Sequence, residues 1–121
     1  MQELFRTLKE SVATAYREGE GGALDPHVLV IELKERITPE EFGQAATANG
    51  FRVETTETLH HPKLKAVLPN AKFGVYTDPF GHDTPAIAVI HDGKSATLTA
   101  EEREKIKSLL EHFRHKMQSI H

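Results

Sequence analysis

With 121 residues, 15 basic against 18 acidic side chains and a formal charge of −3, the chain is sized for one domain (1–121) and has no global attraction for nucleic acid or an anionic membrane. The absence of cysteine excludes disulfides, thiolate metal sites and a thiol nucleophile. No apolar run approaches the roughly 18 to 20 residues that span a bilayer, and the N-terminus lacks the basic-then-apolar layout of a signal peptide, so the expected location is cytoplasmic.

Residues 2–18 carry Leu4, Phe5, Leu8, Val12 and Ala15 at helical spacing and predict a first helix, ended by Gly19 to Gly22. Val28 to Leu33 is β-branched and apolar on both faces, as in a strand covered on both sides. Thr38-Pro39-Glu40-Glu41 reads as a helix start, with Thr38 as cap, Pro39 at the first position and Glu41 returning the bond as a capping box. That helix presents Phe42, Ala45 and Ala46 and stops at Gly50. Phe51 to Thr56 alternates apolar and polar residues, the pattern of a half-buried strand. If it shares a sheet with Val28 to Leu33 as a near neighbour, a parallel crossover is expected, for which the intervening helix is short.

Between Pro62 and Pro69 one or two helical turns are expected, because Pro62 suits a first helical position and Pro69 blocks continuation. Phe73 to Tyr76 and Ala86 to Ile90 predict an antiparallel hairpin with a long loop. Thr99-Ala100-Glu101-Glu102 is a second capping box, opening a helix whose stripe comprises Ile106, Leu109, Leu110, Phe113, Met117 and Ile120. The expected fold is therefore α+β or α/β in the order α-β-α-β-(short α)-β-β-α. Its four strands would form a small mixed sheet, with the first and last helices packed on it.

Eight histidines are the compositional oddity. His60 and His61 are adjacent and on a strand would point to opposite faces, while His112 and His115 lack the His-Glu-x-x-His order of helix-borne zinc pairs. No metal site or cofactor is expected from this spacing. A histidine-assisted hydrolase or metal-dependent enzyme would be built around His82, His91 and the His60-His61 pair. His82-Asp83 and His91-Asp92 are sequence neighbours, however, and an orienting carboxylate must meet the ring in space. Gly-x-Ser-x-Gly and the Gly-rich phosphate-binding patterns are absent.

Arg103, Lys105, Lys107, Arg114 and Lys116 give the last helix a modest basic bias, a second alternative use being nucleic-acid binding. The loop from Asp78 to Pro85 is the positive feature. Pro79 and Pro85 restrict it, and Asp78, Phe80, His82 and Asp83 are the candidate protein-binding residues. The leading expectation is a non-enzymatic protein-binding module, regulatory, inhibitory or adaptor in kind. It would have a protein partner, possible homo-oligomers through a sheet edge, and no membrane association.

Overall fold

The computed structural model describes residues 17–18, 28–56, 63–78, 84–93 and 97–117. Its elements are β1 (Arg17–Glu18), β2 (Val28–Glu32), α1 (Pro39–Ala48), β3 (Arg52–Thr56), β4 (Lys63–Val67), β5 (Phe73–Thr77), β6 (Ala86–His91) and α2 (Ala100–Glu111), then a 3-10 turn at Arg114–Lys116. The five full strands form an antiparallel sheet in the order β2-β6-β5-β4-β3, with the two-residue β1 on the outer side of β2. This corrects the expected mixed four-stranded sheet and the order α-β-α-β-(short α)-β-β-α. Apart from β1, the described order is β-α-β-β-β-β-α.

The correction comes from two places. Lys63–Val67 is a strand, not helical turns, and it is paired on both sides, by β3 and by β5. Proline is as compatible with the flank of a strand as with the start of a helix, so the backbone ladders decide the conformation. Thr77 extends the β4–β5 ladder beyond its backbone pairs, its hydroxyl accepting the Leu64 N–H at 3.1 Å. At the other place, the last two residues of the helix expected over 2–18 are in a strand. Arg17 and Glu18 pair instead with Val30 and Leu29, and residues 1–16 lie outside the described residues.

Four antiparallel pairings separate β2 from β3, so these strands run the same way at opposite ends of the five-strand order. They are not neighbours, so the parallel crossover expected for neighbouring strands does not arise. Spanning four strand spacings takes about 19 Å. The ten residues of α1 supply about 15 Å of that, and the connections on either side supply the rest. Alternation then assigns the faces. Leu29, Ile31, Ala66, Phe73, Val75, Ile87 and Val89 join the buried cluster that holds Phe42, Ala45 and Ala46 of α1 and Ile106, Leu109 and Leu110 of α2. Val30, Ala86 and Ala88 form a smaller cluster on the other face. No helix among the described residues is long and apolar enough to cross a membrane.

Both helices start where the caps predicted. Thr38 Oγ1 accepts the Glu41 N–H at 3.2 Å, and Thr99 Oγ1 accepts the Glu102 N–H at 3.1 Å. Only the second is a reciprocal box, with Thr99 N–H donating to Glu102 Oε1 at 2.9 Å. The carboxylate of Glu41 is engaged elsewhere, by Lys116. Replacing either threonine by alanine is expected to cost about 1 kcal/mol, and by serine almost nothing. Urea midpoints of the four variants check this, and equal midpoints for alanine and serine at both positions would contradict the capping roles. At the far end of α1, Gly50 has φ +81° and ends the helix as expected.

The last helix is shorter than its stripe implied. It ends at Glu111, and Phe113 leaves the helical region at φ −109°, ψ 11°. Even so, Ile106, Leu109, Leu110, Phe113 and Met117 are all buried, while Ile120 lies outside the described residues. The break allows Met117 to bridge to Leu33, and Lys34 N–H to donate to Lys116 O at 2.6 Å. These contacts continue the sheet edge and replace the next helical turn.

Candidate functional site

The hairpin formed by β5 and β6 is antiparallel, as predicted, and its connection starts at Asp78. Asp78 adopts φ 49°, a left-handed conformation that aspartate tolerates better than most residues. Its N–H donates to Ala86 O at 3.3 Å, and Leu33 N–H donates to Pro85 O at 3.0 Å. The Asp78 carboxylate, 5% exposed, receives Arg36 Nε at 3.0 Å. Arg36 lies in the connection between β2 and α1, and its own carbonyl accepts Lys116 Nζ at 3.0 Å. The two ends of the loop are thus tied to each other and to two other parts of the chain.

Lys116 extends this arrangement. Its side chain is 11% exposed and its Nζ lies 2.6 Å from Glu41 Oε1, while His115 Nε2 lies 3.4 Å from Glu41 Oε2. The hydrogen bond from Lys116 holds the Glu41 carboxyl below the usual glutamate range, with charge attraction by Lys116, the backbone N–H of Thr38 and charge attraction by His115 acting in the same direction against partial burial. Two ion pairs, Arg36–Asp78 and Lys116–Glu41, joined by the Lys116 bond to Arg36 O, therefore fasten α1, the C-terminal turn and the loop ends at one end of the sheet. The arrangement positions the loop. It provides hydrogen bonding and charge at the loop ends.

Four residues of this loop are candidates from the sequence, Asp78, Phe80, His82 and Asp83. Asp78 is buried at 3% exposure and acts as an anchor of the loop. Phe80, His82 and Asp83 lie outside the described residues, as do His60 and His61. Thr84 is exposed and Pro85 half-buried. His91 is buried, and its Nδ1 accepts the Gly93 N–H at 3.0 Å. Among the described residues no three His, Asp or Glu side chains gather closely enough to hold a metal ion.

The basic residues of the C-terminal region do not form one stripe. Lys116 turns inward to Glu41, Arg103 donates to Leu98 O at 2.7 Å, and the helix ends before Arg114. A shallow cleft of about 320 Å³ lies at the opposite end of the sheet, lined by Gly50, Pro69, Asn70, Glu101 and Lys105 among others. It is open, and neither acid nor base is buried in it.

Arg36, Glu41 and Lys116 were not singled out from the sequence as site residues. Their contacts join positions 42, 75 and 80 residues apart, so no local spacing announces them. Comparison with protein-family models, curated proteins and solved structures finds no significant match. The functional reading therefore rests on these residues and their surroundings.

Proposed function

We propose that this protein is a non-enzymatic protein-binding module that meets its partner through the segment between Asp78 and Pro85. The observation that supports this reading is the double anchoring of that segment, by Arg36–Asp78 and by the backbone bonds to Ala86 O and from Leu33 N–H to Pro85 O. A loop whose ends are held on a rigid sheet can offer side chains at reduced entropic cost, and Pro79 and Pro85 act in the same sense. Phe80 is the natural aromatic anchor of such a contact and His82 its polar neighbour.

The test is affinity capture from the native host with identification of the captured protein, followed by measurement of its affinity for the parent and for Phe80→Ala/His82→Ala. The double variant is expected to fold within about 1 kcal/mol of the parent, as surface changes do. It should bind the partner about thirtyfold more weakly. Undiminished affinity in a folded variant would refute the role of the loop. A large loss of stability would assign Phe80 to the core instead.

A further inference from the structure

We infer that β3 pairs with β3 of a second copy of this chain, antiparallel about a two-fold axis at Val53. β3 is the last strand of the sheet. β4 occupies one side of it, and among the described residues no strand occupies the other. Such an edge offers a row of backbone N–H and C=O groups to another strand. Arg52 and Thr55 are exposed, and Val53 and Glu54 are half-buried.

Charge selects the register. In an antiparallel pair, opposed residues point to the same face. A two-fold at Arg52 would set arginine against arginine, and one at Glu54 would set glutamate against glutamate. An axis at Thr55 overlaps fewer strand residues and forms no ion pair. With the axis at Val53, Arg52 of each copy faces Glu54 of the other, Val53 faces Val53, and Thr55 faces Phe51. Lys65 of β4 is already opposite Glu54, so the row across the joined sheets runs Lys65, Glu54, then Arg52 of the second copy. Within one chain Arg52 Nη2 bonds Glu54 Oε2, so the two charged ends already share the face on which the exchange would occur. Charges on an edge deter pairing with unrelated strands. This pattern is complementary to itself in one register. The edge lies two strands from β5, the strand that leads into Asp78.

A five-residue strand buries a small area, so the dimer is weak and concentration-dependent. Sedimentation equilibrium of the full chain from micromolar to millimolar concentration is expected to show monomers and dimers. Arg52→Glu and Glu54→Arg each turn both cross-strand ion pairs into like-charge pairs, and each is expected to weaken dimerisation about tenfold. The combined exchange Arg52→Glu/Glu54→Arg restores both cross-strand pairs and is expected to recover much of the affinity lost in the single variants, Lys65 losing its opposite charge at position 54. Thermal melts establish that all variants are folded. A monomer throughout the range would overturn the inference and leave the edge to an extended peptide of another protein. So would a dimer indifferent to the single reversals, or a double exchange that fails to rescue.

Discussion

Phe113→Ala is expected to destabilise the protein by about 3 to 5 kcal/mol, the range for removing a fully buried aromatic ring. Phe113 is 0% exposed, and its ring stacks on Phe42 with centroids 6.0 Å apart and planes 12° from parallel. It thus joins α1 to the turn that follows α2, on the face where both helices meet the sheet. Truncation leaves a cavity bordered by elements that the sheet holds in place, so collapse can recover only part of the loss. Leu110→Ala, at the same level of burial, is expected to cost about 2 to 5 kcal/mol. Either loss is a large share of the 5 to 15 kcal/mol typical of a whole domain. Urea denaturation checks both, and unchanged midpoints would remove this region from the core.

Lys116→Met is expected to cost about 2 kcal/mol at neutral pH, within the range for hydrogen bonds to charged groups. Methionine keeps much of the packed stem while removing the ammonium, which leaves Arg36 O and the Glu41 carboxylate without that donor. Glu41 is 29% exposed, so water compensates for part of the loss and the full cost of a broken buried pair is not reached. The difference depends on pH with a definite sign. The Glu41 carboxyl is held below its usual range chiefly by Lys116, so its contribution is present above the unfolded value of about 4.3 and disappears as pH falls through the folded one. The gap in stability between parent and variant should therefore narrow in acid below about pH 4.3. Denaturant midpoints from pH 7 to pH 3 check this, and a gap that stays constant would mean the lysine acts through Arg36 O and its packing, not through Glu41.

Much of the local structure was legible in the residues. Thr38 and Thr99 cap helices because a side-chain oxygen and an amide three residues on meet whenever the helix forms. Gly50 stops α1 because only a residue free of Cβ strain adopts φ +81° readily. The apolar composition of Val28–Glu32 and Ala86–His91 was sufficient to indicate strands, and these two proved to be direct neighbours.

Other features were settled by partners far away in the chain. Lys63–Val67 is a strand because β3 and β5 offer ladders on both sides, which outweigh the helical hint of its flanking prolines. The last helix stops at Glu111, although its stripe continues, because Met117 and Lys116 find partners at Leu33 and Lys34. Asp78 reads from the sequence as a candidate binding residue of the loop, and Arg36, 42 positions earlier, binds its carboxylate. Caps, turns and periodicity act within a few residues and can be read one segment at a time. Strand order, the end of α2 and the ion pairs at the loop depend on which distant backbone and charged groups the closed sheet brings together, and only the tertiary structure decides that.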